Sequence, residues 1–360
     1  MPTAQAAPQA RLPFQLFTRW IPEFLANIAI TVGGAKQTLL LDNVGYGDLL
    51  VLHVKGTYTV AVAPLVFLAG APWNVLSNIN VQPPGLTPPV NISGFMQHCW
   101  NMIEKNFAPF VDGLDLGAQG LDANAFDAGL IDVFPTAIGA QTAHLWYVVP
   151  FHRSSMDVRG ILPLGNKTRT LLTLSIAAAA DLVTTPANFT IPVLSVDVFQ
   201  AYYTAAPAGV NADPDPYWGI TYEELVQPIA ALGDQVINIE PNDSIIGIVH
   251  YVVMNGVGDS TDISTLTLRV NKSFYHQALD GAFWHFIQRR RIGAPMPVGV
   301  IVYDMDRFVD DGSLDMREWI HSQDVQSVQS TLRVPTGVLG TNPRVVTSIK
   351  RLVDLAPGQH

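Results

Sequence analysis

Cysteine occurs once in this chain, at Cys99, so no intrachain disulfide forms and a zinc–thiolate cluster is excluded. A small buried apolar role suits that residue. Lysine is nearly as scarce, six against fourteen arginines, and charged residues reach only 14%, where an ordinary soluble domain has about 25%. The formal net charge of −10 argues against a protein that wraps or condenses nucleic acid, because counterion release needs clustered Lys and Arg. Subunit interfaces deplete Lys and keep Arg, whose planar fork is easier to desolvate. Low charge with low Lys therefore points to a surface that largely meets other subunits, in an obligate assembly. Long apolar spans are also missing. The longest, Tyr58–Trp73, is interrupted by Pro64, Gly70 and Pro72, and is shorter than the roughly 20 residues a membrane-spanning helix needs. The N-terminus has no basic-then-apolar leader, which argues against secretion by that route.

What is present is apolar and punctuated. Hydrophobic residues make up 48% of the 360, which excludes disorder for most of the length. The 28 glycines and 26 prolines exceed the roughly 12% usual for the two together. They break the chain at short intervals, as an all-β protein with many turns requires. The clearest strand candidates are Ala26–Val32, Leu49–Ala63, Val75–Gln82, Ala143–Phe151, Thr168–Ala177 and Thr190–Tyr203 in the first half. The second half supplies Gln235–Glu240, Ile245–Met254, Ser264–Val270, Val298–Asp304, Val325–Val334 and Arg344–Leu352. In Ser264–Val270 the residues Leu266, Leu268 and Val270 alternate with polar ones, the period of a half-buried strand.

Two segments carry a helical period instead. Ser93–Lys105 spaces Phe95, Cys99, Met102 and Ile103 at i, i+4, i+7 and i+8, with Ser93 as N-cap. Asp280–Arg291 sets Phe283, Phe286 and Ile287 on one face, with an acid at its start and three arginines in its last turn to suit the helix dipole. Phe95, Cys99, Ile103, Phe283 and Ile287 are expected to pack against the sheets of their own halves. The order of events repeats: an acid (Asp48, Asp243), a long apolar strand, a second strand, a Trp-bearing helix (Trp100, Trp284), then an aromatic-rich strand. Residue identity between the copies is slight, so architecture repeats and sequence does not. Two β domains of one plan, joined near Ala205–Pro216, follow from this. About eight strands per half without βαβ alternation make each an antiparallel sandwich. Jelly rolls are the eight-stranded member of that group, and periodicity alone does not separate them from other sandwiches.

A search for chemistry returns little. The nine histidines stand at 53, 98, 144, 152, 250, 276, 285, 321 and 360, no two of them one, three or four apart. Neither a strand pair nor a helix pair of metal ligands results, and His98 and His285 read as structural. No Gly-x-Ser-x-Gly elbow, Walker loop or complete GxGxxG is present. The acidic groups around Asp304–Asp315 and Asp112–Asp127 lack the spacing of a calcium loop and read as solvated loops. Arg289–Arg291 is the one basic run, read as helix-end charge or as arginines pairing across a subunit boundary. No catalytic, cofactor-binding or metal residue is assigned, and no cofactor is expected.

Four blocks in order resemble a known family. They are residues 74–101, where a strand and a proline-rich loop lead to Ser93-Gly94 and an aromatic helix, and 144–176, where a strand ends in Val149-Pro150. Residues 198–207 and 284–293 follow, the first like the end of one sandwich and the second like the helix of the next. Together they resemble the double jelly-roll major capsid proteins of tailless, membrane-containing icosahedral viruses, especially tectivirus-type bacteriophages. The resemblance implies an all-β chain of two eight-stranded antiparallel jelly rolls in tandem, each with a short inserted helix. It divides the chain into an N-terminal arm (1–20), a first jelly roll (21–210) and a second jelly roll with its C-terminal tail (211–360).

The function so implied is structural: a non-enzymatic coat subunit whose homotrimers form pseudo-hexameric capsomers around an internal membrane. Implied partners are other copies of the chain, neighbouring capsomers, minor capsid and vertex proteins and the internal viral membrane, with no direct nucleic-acid contact. The implied location is the virion, after synthesis in the host cytoplasm. The sequence departs from the family in its arm, which is short, rich in Ala, Pro and Gln, and interrupted at Pro13 and Pro22. The alternative is a carbohydrate-binding or cupin-like protein on two β-sandwiches, against which the absence of paired histidines counts. Val62–Trp73 and Ala108–Phe134 are too apolar for free loops and are expected to contribute to subunit contacts.

Overall fold

The computed structural model describes residues 18–42, 44–62, 65–84, 88–104, 134–152, 161–164, 170–206, 218–259, 263–292, 296–305, 320, 325–334 and 339–354. Nine strands come from the first half: β1 (Trp20–Ile30), β2 (Gln37–Leu40), β3 (Tyr46–Val60), β4 (Leu76–Gln82), β5 (Val90–Ile92), β6 (Gly139–Pro150), β7 (Leu162–Pro163), β8 (Leu171–Ile176) and β9 (Phe189–Tyr203). Nine come from the second: β10 (Trp218–Pro228), β11 (Gly233–Ile239), β12 (Ser244–Met254), β13 (Val257–Gly258), β14 (Thr265–Val270), β15 (Ser273–Asp280), β16 (Val300–Asp304), β17 (Val328–Val334) and β18 (Arg344–Asp354). Helix α1 (Gly94–Glu104) enters between β5 and β6, the single turn α2 (Ala179–Leu182) follows β8, and α3 (Gly281–Ile292) enters between β15 and β16.

The pairing defines two jelly rolls. In the first, β1-β9-β3-β6 faces β2-β8-β4-β5, and the second repeats the order as β10-β18-β12-β16 facing β11-β17-β14-β15. The two-residue strands β7 and β13 are additions at the edges. The expected all-β double jelly roll with one helix inserted in each roll is thus observed. The rolls are not separate sandwiches, however. β5 pairs in parallel with β10, Val90 opposite Tyr222 and Asn91 opposite Glu223, so the second sheet of one roll and the first of the other form one nine-stranded sheet. The buried apolar residues of both halves accordingly make one continuous core.

Alternation explains most strands. Leu50, Leu52 and Val54 of β3 are fully buried while Val51 and Lys55 are not, the two-residue period of a strand with one face toward the core. β12 differs: every residue from Ile245 to Met254 is buried, because both of its faces are covered. Its uninterrupted apolar run is the sequence form of that position. β1 starts six residues before the expected Ala26. It is an edge strand, where Pro22 costs no ladder hydrogen bond. β10 escaped the sequence reading because Glu223 and Glu224 break its apolar pattern.

The helices depart from expectation in instructive ways. α1 carries an apolar stripe by sequence, yet Gln97, His98 and Asn101 are buried along with Phe95, Cys99, Trp100 and Ile103. Buried all round, it is a wedge between layers. Phe95 touches Trp73 of its own roll and also Tyr251 of the second, ring centroids 4.3 Å apart, so packing against its own sheet alone is corrected. In α3 the expected face is wrong. Phe283 is 50% and Phe286 63% exposed, and Gly281, Trp284 and Gln288 form the buried face. Gln288 fills an apolar place because its amide donates to Val300 O and accepts from Val302 N. The Ile287 side chain lies outside the described residues. Asp280 does cap α3, accepting from the backbone of Ala282 and Phe283 at 2.8 and 3.3 Å.

Two stability outcomes follow. Phe283→Ala is expected to leave the fold of the single chain within about 0.5 kcal/mol of the parent, as for a side chain exposed in the chain by itself, so that any larger loss depends on protein concentration. Trp100→Ala is expected to cost about 3–5 kcal/mol, read by chemical denaturation of the purified chain.

Candidate functional site

The joint between the rolls is the most elaborate polar and aromatic construction among the described residues. Trp100 of α1 lies over Gly247 of β12, so closely that a methyl group there would come within 2.7 Å of the indole. Its Nε1–H donates to Ser348 Oγ of β18 at 2.9 Å, and its ring meets Tyr222 of β10 edge-on at 5.8 Å. One turn later Glu104 accepts from the Tyr222 hydroxyl at 2.9 Å and from Lys350 Nζ at 2.6 Å. Lys350 is buried, which its pairing with Glu104 and its position 5.5 Å from the Tyr222 ring centroid make tolerable. Arg351 is held in the same sheet by Glu223 at 2.6 Å. The two glutamates that hid β10 from sequence reading are therefore tertiary contacts. Glu223 takes Arg351, and Glu224 accepts from the Ser93 backbone N–H at 2.8 Å, where α1 begins. Burial pushes the Glu224 carboxyl up, against the Ser93 hydrogen bonds and the Arg344 charge.

Beside this joint lies a cleft of about 450 Å³ whose lining includes Asn74, Ser93, Met96, Glu224, Tyr251 and Arg344. It is bordered by the loop before β4, whose Ala69 N–H donates to Gly256 O in the second roll at 3.0 Å. The loop Val62–Trp73, expected at subunit contacts, thus spends much of its apolar content inside the chain. Leu65, Ala69 and Ala71 are buried, and Val62 and Val66 stay about half exposed. Residues 105–133, which hold most of the other expected contact loop and the acids from Asp112 to Asp127, lie outside the described residues, as do Asp306 to Asp315 of the second acidic group.

The histidines divide. His98 stacks on Trp73 at 4.2 Å, and His152 meets the Asp48 carboxylate at 2.7 Å. His250 spans the core of the second roll, its ring nitrogens 2.9 Å from Thr347 Oγ1 and from Ser330 Oγ of the facing sheet. The sequence shows no ligand spacing, yet two histidines meet: His53 Nε2 lies 3.0 Å from His144 Nδ1. Antiparallel register brings them together, since Lys55 of β3 stands opposite His144 of β6. His53 stacks on Trp146 at 3.8 Å and approaches Asp197, which accepts from Lys55 and from Asn27. Burial would raise the Asp197 carboxyl, but the Lys55 and Asn27 hydrogen bonds outweigh it and hold the pKa low. Burial, then the Lys55 charge, depresses His144. The two imidazoles share one hydrogen bond, and a charge on both would set like charges 3 Å apart. This array sits on the outer face of β1-β9-β3-β6. Among the described residues no group of three His, Cys, Asp or Glu side chains is arranged to hold a metal ion, and no helix is long and apolar enough to cross a membrane.

No protein-family model matches the chain, and no curated protein does. Solved structures do match it. It is similar to the STIV MCP over 94% of its own length and 97% of that chain, with TM-score 0.68 and 12% identity. The major capsid protein P2 from Bacteriophage PM2 aligns over 94% and 99%, with TM-score 0.58 and 11% identity. PBCV-1 VP54 aligns over 93% and 94%, with TM-score 0.59 and 10% identity. The chain has the double jelly-roll fold found in these viral major capsid proteins.

Burial lowers the His250 pKa from its usual 6.5 to about 3. The folded protein therefore resists protonating a group that the unfolded chain protonates below pH 6.5, and stability is lost as pH falls from about 6.5 toward 3. His250→Gln is expected to flatten the stability profile over that window, measured by denaturation at a series of pH values.

Proposed function

We propose that this chain is a viral coat subunit with a structural and not an enzymatic role. The observation that carries the reading is the double jelly roll, matched over 94% of the chain with a viral major capsid protein at TM-score 0.68. Composition supports it independently: six lysines and 14% charge suit a chain whose outer surfaces are covered by neighbours. So do the exposed aromatics Trp20, Phe24, Phe283 and Phe286, which a monomer leaves in water without return.

In this reading residues 1–20 are an arm, 21–210 the first roll and 211–360 the second. Three copies place six rolls in a pseudo-hexameric tile, and tiles meet one another and vertex proteins in an icosahedral shell around an internal membrane. The acidic net charge of −10 suits a coat that does not itself bind the genome. The virion is its location, and the host cytoplasm its place of synthesis.

Light scattering of the purified chain at micromolar concentration is expected to give about three times 39.1 kDa. A monomer under those conditions would sink the proposal, because obligate capsomers scarcely populate free subunits.

A further inference from the structure

The two rolls present equivalent surfaces, one covered and one bare. β1 and β10 each open a roll, each has 11 residues, and each starts with a Trp opposite the last residue of the closing strand: Trp20 with Tyr203, Trp218 with Asp354. Phe24 therefore holds the place of Tyr222. Tyr222 is 1% exposed beneath α1, whereas Phe24 is 53% exposed, its ring edge-on to Phe199 at 5.4 Å.

The inserted helices correspond in the same way. Each begins at a glycine pressed against backbone, Gly94 on Trp73 O and Gly281 on Ile263 O. The third residue after the glycine turns to its own roll in both. Gln97 donates to Val148 O of β6 at 2.7 Å, and the Trp284 ring lies 4.9 Å from that of Tyr303 of β16. The second and fifth residues differ in fate. In α1 they are Met96 and Cys99, both fully buried. Met96 lines the cleft with Glu224 and Tyr251 of the second roll. In α3 they are Phe283 and Phe286, exposed and stacked with centroids 6.5 Å apart. Phe283 and Phe286 are thus exposed counterparts of the buried Met96 and Cys99, and Phe24 is an exposed counterpart of the buried Tyr222.

We propose that the outer face of β1 and β9, centred on Phe24 and Phe199, receives the Phe283–Phe286 face of α3 from a second copy of this chain. The contact repeats between chains what α1 does within one. It rests on the coat-subunit reading and adds the residues of the contact to it. Two different patches meet, so the association is heterologous, and successive copies add head to tail until the ring closes. The two faces belong to different rolls and stay exposed in the single chain, and another copy carries the surface that matches each. The match is chemical as well as positional, aromatic on aromatic, the composition of buried interface centres.

The single cysteine is buried, so introduced cysteines report contacts without background. The double variant Phe24→Cys with Phe286→Cys, treated with a short bis-maleimide, is expected to give covalent species of two and three chains. Each single variant alone is expected to stay uncross-linked. A single variant that cross-links to itself indicates a symmetric contact and overturns the proposal. Phe283→Glu with Phe286→Glu, folded by circular dichroism because both positions are exposed, is expected to shift the chain from oligomer to monomer in light scattering. An oligomer of unchanged mass in that variant, or no ladder from the double-cysteine protein, overturns this contact and leaves the coat-subunit reading standing. A parental chain that is monomeric removes both.

Discussion

The seating of α1 on the outer face of β10, β18 and β12 is the contact on which the architecture depends. A jelly roll buries only the faces that look at each other, and the remaining face of each sheet needs water or a neighbour. Here the second roll carries an apolar strand, β12, buried on both sides. α1 covers its outer side, with Trp100 fitted to Gly247 and tied to Ser348. The parallel step from β5 to β10 involves only two residue pairs, too few to fix two domains. The helix supplies the area, and the Glu104–Lys350–Tyr222 contact supplies direction. A buried ion pair adds little net stability, but breaking it is costly, so it penalises any other seating of the helix.

The same construction accounts for the scarcity of charge. Lys350, one of six lysines, is spent at the joint with Glu104, and Glu223 and Glu224 are spent on Arg351 and the Ser93 backbone. Charges that in other chains keep a surface wet are here paired between helix and sheet or between neighbouring strands. Lys55 and Asp197 repeat the habit on the outer face of the first roll, where Asp197 approaches His53 and His53 meets His144.

The two rolls share one covered joint, between α1 and the outer face of β10, β18 and β12. The shared nine-stranded sheet separates the chain from a tandem of independent sandwiches. Its exposed aromatics fall in two places, Phe24 on β1 and Phe283 with Phe286 on α3.

How much of this was legible in the sequence varies by element. The strands with one wet face were, because alternation in β8 or in β3 depends only on which side meets the core. The inserted helices were located for the same reason: Ser93 and Asp280 are local caps, and helical spacing is a local signal. Which face of α3 is buried was not legible. Phe283 and Phe286 are more apolar than Gln288, yet Gln288 is inside, because Val300 and Val302 offer its amide both a donor and an acceptor. β10 was invisible for a similar reason: glutamates disguise a strand until the arginine and the backbone N–H that receive them are known. The His53–His144 contact lay hidden in the register of β3 against β6. The sequence by itself thus determined the all-β class from periodicity and turns, the doubling from the repeated order of elements, and the helix positions from spacing and capping, while the jelly roll was implied by the resemblance. Only the tertiary structure decided the nine-stranded sheet, the wedge of α1 and the bare aromatic faces. Those depend on which polar groups find partners far along the chain, and no local pattern encodes a partner.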